Sequence, residues 1–353
     1  MRVVRAGWLT LSVGLLATSP ARASSMAVEL GGTAGQATDI SSGAGSLLVR
    51  GMGDVDLAEQ VSLHVDLAYT RALAQGPPPG LTVGSSGGNV FSLAAGVDLA
   101  VLDTGLLTLE LNFSPASTVE QQVNVPVGAT TLHPLVSSHS QAVGGTMAFA
   151  YATGFERDVE VGLDGAVGVT RFDSTQQIVD RSGAPIPPLA CASVPVSLRA
   201  VCALLVAQHG TAFTQSRLAA GATVTFFRDT DLGLSAEYYV YSDDPTQVGF
   251  FALATGGRLP TSLGDPFTLV PLLWSVRPGL THRFGEAVSL GVYYEYADGY
   301  ADEGTSNLVG LRLAVKVSPT VKLVLRAEGQ GFTDAAGLTT LSGSAVLTAR
   351  VEL

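Results

Sequence analysis

Charge is what this sequence has least of. Asp, Glu, Lys and Arg make up 14% of its 353 residues, where a soluble domain usually carries about 25%. Long apolar runs are missing too. Beyond the N-terminus, no stretch approaches the roughly 20 consecutive apolar residues that a membrane helix needs. Cysteine is scarce at two, which excludes a disulfide-stapled mini-domain, and aromatics are 7%. Yet hydrophobic residues are 46% of the chain and the mean hydropathy is +0.35. Apolarity that is abundant but never continuous fits an all-β chain, in which it is spread by alternation. The 41 glycines fit the same class.

Recognisable chemistry is also missing. His64, His133, His139, His209 and His282 are scattered, with no zinc spacing. There is no G-x-S-x-G elbow and no Walker A pattern. "GGTAGQ" (31–36) lacks the strand–helix context of a phosphate loop. No metal, cofactor or catalytic residue is expected. His64 and Asp66, two apart on one strand face, are the nearest thing to an acid–base pair, and a hydrogen-bonded wall group is the plainer reading of them.

The N-terminus, "MRVVRAGWLTLSVGLLATSPARASS", has Arg2 and Arg5, an apolar stretch from Trp8 to about Ala17, and then Ala21-Arg22-Ala23. That is the pattern of a secretory signal peptide. We expect a signal peptide over 1–23, cut before Ser24, and one domain over 24–353. Losing Arg2, Arg5 and Arg22 takes the formal charge from -11 to -14. An acidic exported chain argues against nucleic acid as a partner.

What is present is period two. In "VSLHVDLAYT", Val61, Leu63, Val65, Leu67 and Tyr69 alternate with Ser62, His64, Asp66, Ala68 and Thr70. "LLTLELNFS" (106–114) and "VEVGLDGAVGVT" (159–170) repeat the pattern. Successive strand side chains point to opposite faces, so each segment has one aliphatic face and one polar or small face. Most segments run about 10 to 14 residues, twice the usual strand of 5 or 6, and a tilted strand needs about 9 to 11 to cross a bilayer. Short connections near 54–60, 102–105, 155–158, 227–231, 283–287 and 317–321 alternate with long ones at 73–88, 115–137, 172–211 and 243–269. Short turns on one side and long loops on the other describe a membrane barrel. About fourteen strands can be placed, the first pair least firmly, with twelve as the alternative; both counts are even, as in bacterial single-chain barrels.

On these residues the chain resembles a Gram-negative outer-membrane β-barrel protein. The last segment, "SGSAVLTARVEL", adds to the likeness: Ala345, Leu347, Ala349, Val351 and Leu353 alternate to the final residue, where members of the class usually place an aromatic. A further likeness, to barrel transporters associated with aromatic-hydrocarbon and phenol uptake, rests on size and strand style. The resemblance implies a closed antiparallel transmembrane barrel, outer-membrane lipid and the barrel-assembly machinery as partners, and small solutes as cargo.

Inside "LRLAVKVSPTVKLVLRAEG" (311–329), Arg312, Lys316, Lys322 and Arg326 alternate with aliphatics. A cation on the lipid face at mid-membrane would cost about 2–4 kcal/mol, so these point inward. Sorted by face, the N-terminal half contributes inward acids: Asp66, Asp98, Glu110, Glu160 and Asp164. The C-terminal half contributes bases: Arg217, Arg277, Arg312, Lys316 and Arg326, with Lys322 and Arg350. In a barrel the two halves are opposite walls. The expectation is a polar lumen with opposed acidic and basic walls that passes small solutes. The alternatives are a transporter for apolar or aromatic compounds, which needs an opening in the wall such as Pro278 would allow, a structural barrel, or a barrel enzyme. Tyr69, Tyr151, Phe226, Tyr238, Trp274 and Tyr296 are expected to face outward as interface aromatics. The 172–211 loop holds Cys191 and Cys202, expected to pair in an oxidising compartment and to make that loop a constriction or lid.

Overall fold

The computed structural model describes residues 25–37, 40–73, 85–101, 103–122, 125–127, 130–132, 135–155, 159–180, 185–187, 191–192, 209–243, 272–300, 304–334 and 339–352, with single residues 196, 199 and 337. The expected signal peptide and Cys202 lie outside these residues.

The strands follow the alternation. They are β1 (Ser25–Ala37), β2 (Ile40–Ala58), β3 (Val61–Leu73), β4 (Ser85–Val101), β5 (Gly105–Gln122), β6 (Val125–Val127), β7 (Thr130–Leu132), β8 (Leu135–Phe155), β9 (Val159–Val179), β10 (His209–Phe226), β11 (Thr230–Tyr241), β12 (Leu272–Phe284), β13 (Val288–Gly299), β14 (Gly304–Lys316), β15 (Val321–Asp334) and β16 (Thr339–Glu352). Fourteen of them form one closed barrel, each antiparallel to its neighbours in chain order. β1 and β16 close it, from Ala27 opposite Glu352 to Ala37 opposite Ser342. β6 and β7 form a separate small hairpin between β5 and β8. The fourteen-strand count therefore holds, and the twelve-strand alternative falls. Strand ends differ from the sequence reading. β5 runs to Gln122 and β8 starts at Leu135, inside the stretch 115–137 read as loop. β9 continues to Val179 and β10 begins at His209, so the 172–211 loop is shorter than expected. Polar runs such as "STVEQQ" and "DSTQQIV" hide the strand, because above a membrane both faces of a hairpin meet water.

The barrel is apolar outside and polar inside. Leu111 is 73% exposed and Val309 63%, while inward-facing Thr108, Asn112, Ser114, Thr223, Ser275 and Glu295 are buried. An exposed aliphatic band over strands closed into a barrel is the arrangement that hydrocarbon demands. Among the described residues no helix is long and apolar enough to cross a membrane. Of the expected interface aromatics, Tyr69, Tyr238 and Phe226 are exposed, and Trp274 packs on Tyr296 with ring centroids 5.2 Å apart.

Introducing a charge into the outward band tests this orientation. Leu111→Arg should destabilise the barrel refolded in lipid vesicles by about 2–4 kcal/mol in a urea titration. Leu111→Ala should cost clearly less.

Candidate functional site

Each inward acid and base is fixed by its strand register. β2 carries Arg50 opposite Glu29 of β1. Arg50 Nε donates to Asp66 Oδ1 at 2.9 Å and Oδ2 at 2.8 Å, and its Nη1 lies 3.8 Å from Glu29. His64 does not pair with Asp66. Its Nδ1 is 2.9 Å from Asp98 and its Nε2 is 3.2 Å from Glu110, while Thr108 Oγ1 donates to the other Asp98 oxygen at 2.6 Å. Both ring nitrogens are thus engaged by carboxylates of β4 and β5. Among the described residues no group of three or more His, Cys, Asp or Glu is arranged to hold a metal ion.

The basic side divides in two. Arg217 binds Glu237 at 2.7 Å. Arg277 Nε donates to Glu295 at 2.7 Å, and its guanidinium lies 5.4 Å from the centre of the Tyr293 ring. Arg283 pairs with Asp231. In contrast, Arg312 is opposite Arg326, and Lys316 is opposite Lys322. Charges are therefore neutralised mainly between neighbouring strands along the wall. Glu160 lies opposite Thr225 and Asp164 opposite Gly221. Arg50, Glu29, Asp231 and Arg283 belong to this network and were missing from the sequence reading. The signal that would have found them is an inward charge one strand away from an unmatched partner.

Several polar side chains lie flat over glycines of the adjacent strand. A Cβ added at Gly96 would sit 2.6 Å from the His64 ring, one at Gly221 2.5 Å from Asp164, one at Gly144 2.5 Å from Thr170, and one at Gly310 2.1 Å from the Tyr293 ring. Tyr293 then reaches Glu328 with its hydroxyl. Such side chains extend along the wall and project less into the bore.

Toward the long-loop end the interior becomes aromatic. Phe172 and Phe213 are both 3% exposed and stack at 5.0 Å between centroids. Tyr241 lies 6.0 Å from Phe213 and 5.2 Å from Tyr300. Its hydroxyl donates to the Leu272 carbonyl at 2.8 Å and accepts from Gln215 at 3.1 Å.

Beside this cluster the wall is irregular. The register of β5 shifts against β4 between Asn89 and Leu93, and against β8 between Ser114 and Ser117. Pro115 lies within the irregular stretch of β5. It has no N–H to give, and one extra residue is taken up there as a bulge. Ser114 Oγ donates to the Phe91 carbonyl at 2.8 Å, substituting for a ladder bond. Tyr69, Phe91 and Phe113 surround this point on the outward face, each about two-fifths exposed. Pro278 lies outward in β12, where β12–β13 pairs are skipped between Val276 and Gly279 without a register shift. Pro115 falls in the 115–137 stretch expected to be loop, so Pro278 was expected as the opening in the wall.

No protein-family model matches the chain, and no curated protein does. Solved structures do. The monoaromatic hydrocarbon channel CymD superposes with a TM-score of 0.51 at 9% identity, covering 94% of this chain and 88% of that one. The Ralstonia pickettii toluene transporter TbuX gives 0.52 at 10% identity, with 94% and 90% covered. A Pseudomonas aeruginosa FadL homologue gives 0.50 at 10% identity, with 93% and 89% covered.

The fold is that of a Gram-negative outer-membrane β-barrel.

Two substitutions test the wall. Arg50→Ala strands two carboxylates and should destabilise the barrel by about 1–3 kcal/mol, with a double-mutant cycle against Asp66→Ala returning most of that as coupling. Gly310→Ala should cost about 1–3 kcal/mol on urea unfolding in vesicles. Adding Tyr293→Ala should relieve the clash, so that the two effects do not add.

Proposed function

We propose that this chain is an exported outer-membrane transporter of small apolar, aromatic compounds. The observation that carries the reading is one inward row. Ser114 of β5 is opposite Ala142 of β8, Ala142 is opposite Phe172 of β9, and Phe172 is opposite Phe213 of β10. The row joins the aromatic cluster to the wall irregularity at Pro115, with small side chains between. A ring-shaped solute would dock against Phe172, Phe213 and Tyr241. From there, the charged lower lumen is unfavourable for it, while hydrocarbon recovers roughly 25 cal/mol per Å² of apolar surface. The β5 bulge, which lacks regular ladder bonds on both edges, is the natural exit through the wall. The structural likeness to hydrocarbon channels and a toluene transporter supports the same reading.

The N-terminal signal peptide belongs to the proposal, since it would deliver the chain to the outer membrane. So does pairing of Cys191 with Cys202. Cys191 is 5% exposed, and no free cysteine is present among the described residues.

The second reading is passive passage of small polar solutes. It is favoured by the side chains lying flat over glycines, which leave room in a polar bore.

Uptake separates the two. Cells producing the protein should accumulate a radiolabelled monoaromatic hydrocarbon faster than cells lacking it. Phe172→Ala/Phe213→Ala should reduce that gain severalfold while leaving barrel assembly intact. Uptake unchanged by the protein, together with steady ion-selective steps in a planar bilayer, would replace the hydrocarbon reading with the polar one.

A further inference from the structure

The cations of β14–β16 face one another. Arg312 is directly opposite Arg326, and Lys316 directly opposite Lys322. Lys322 is in turn opposite Arg350. All five alternate with outward aliphatics such as Leu311, Leu323, Leu325 and Leu347, so they share the inward face. Like charges directly opposite on a sheet are destabilising. Elsewhere the wall avoids this: Arg50, Arg217, Arg277 and Arg283 each meet a carboxylate on an adjacent strand.

Carboxylates do approach the strip. Glu328 is 4.0 Å from Arg326 Nε and also receives the Tyr293 hydroxyl. Glu29 is opposite Arg350 but is shared with Arg50. Whatever further contacts the five cations make within the wall, the register still sets like against like on three adjacent strands. Lys316 and Lys322 are exposed and flank the short turn 317–320, so the strip opens to water at that end.

We propose that this strip is an oxyanion-binding site, which holds a carboxylate or phosphate group between the Lys316–Lys322–Arg350 row and the Arg312–Arg326 pair. An oxyanion offers several acceptor oxygens to donors that arrive from different strands. Guanidinium forks match that geometry in two bonds, and ammonium groups supply point charge beside them. Rings of Arg and Lys are how pores select anions. The inference concerns this wall alone and is independent of the hydrocarbon reading, which rests on the opposite end of the lumen.

The test is thermal unfolding of the purified full-length barrel in zwitterionic detergent, titrated separately with inorganic phosphate and with benzoate. Sodium chloride holds the ionic strength constant. A saturable rise in Tm with either probe is expected, and the probe that produces it identifies the group: benzoate a carboxylate, phosphate a phosphate ester or free phosphate. Lys316→Gln/Lys322→Gln should weaken the apparent affinity about tenfold or more, as expected for lost charge-assisted bonds. Should the double variant fail to refold, Lys316→Gln at the exposed strand end provides the same comparison. No saturable shift with either probe, or an undiminished affinity in the variants, overturns the proposal.

Discussion

Everything in this barrel follows from one constraint: a backbone that crosses hydrocarbon must pair every N–H and C=O within itself. The β1–β16 ladder is where that constraint is met last, because without it two edges would face lipid. Closure then decides the side chains. With one face turned to lipid and the other to an enclosed bore, alternation is the pattern compatible with both, and the aliphatics go outward. The usual relation of a hydrophobic core to a polar surface is reversed, which explains a chain that is 46% hydrophobic and 14% charged without a conventional core. The buried apolar clusters are correspondingly small, such as Ala142, Phe172 and Phe213.

The same constraint makes irregularities informative. A bulge in a soluble sheet can be mended by water, whereas in a membrane wall the freed groups need another donor. Ser114 supplies one at Phe91, and the surrounding outward aromatics put this position near an interface. The polar interior shows a parallel economy. Arg50, His64, Arg217 and Arg277 are each met by a carboxylate within one strand's reach, so these groups cross the membrane in clusters of opposite sign. Along β14–β16 the register differs in setting cation opposite cation on three adjacent strands.

The fold was legible in the sequence because period two and turn spacing are local signals. Leu107, Leu109, Leu111 and Phe113 announce a face without reference to any other strand. The alternation of Arg312, Lys316 and Arg326 with aliphatics is a local signal of the same kind. Pairing was not, since it depends on stagger between strands. His64 was set beside Asp66 because they are two residues apart, yet its partners come from β4 and β5, 34 and 46 residues away. Sorting charges into an acidic and a basic wall likewise gave no access to the ion pairs between neighbouring strands. The Phe172–Phe213 stack was hidden for another reason: Phe172 fell inside the 172–211 stretch read as loop and Phe213 just beyond it, and only the β9–β10 register brings them together.

The glycines beneath Tyr293, His64 and Asp164 carry a consequence for how such a bore can change through evolution. Its width at these points depends on where side-chain volume is stowed as well as on how much there is. A methyl group added at Gly310 would lift the Tyr293 ring off the wall and into the passage, narrowing it from a position that itself gained almost nothing. Each ring and its glycine thus act as a hinged shutter and its recess, a two-residue unit of inheritance whose members must vary together if the bore is to stay the same.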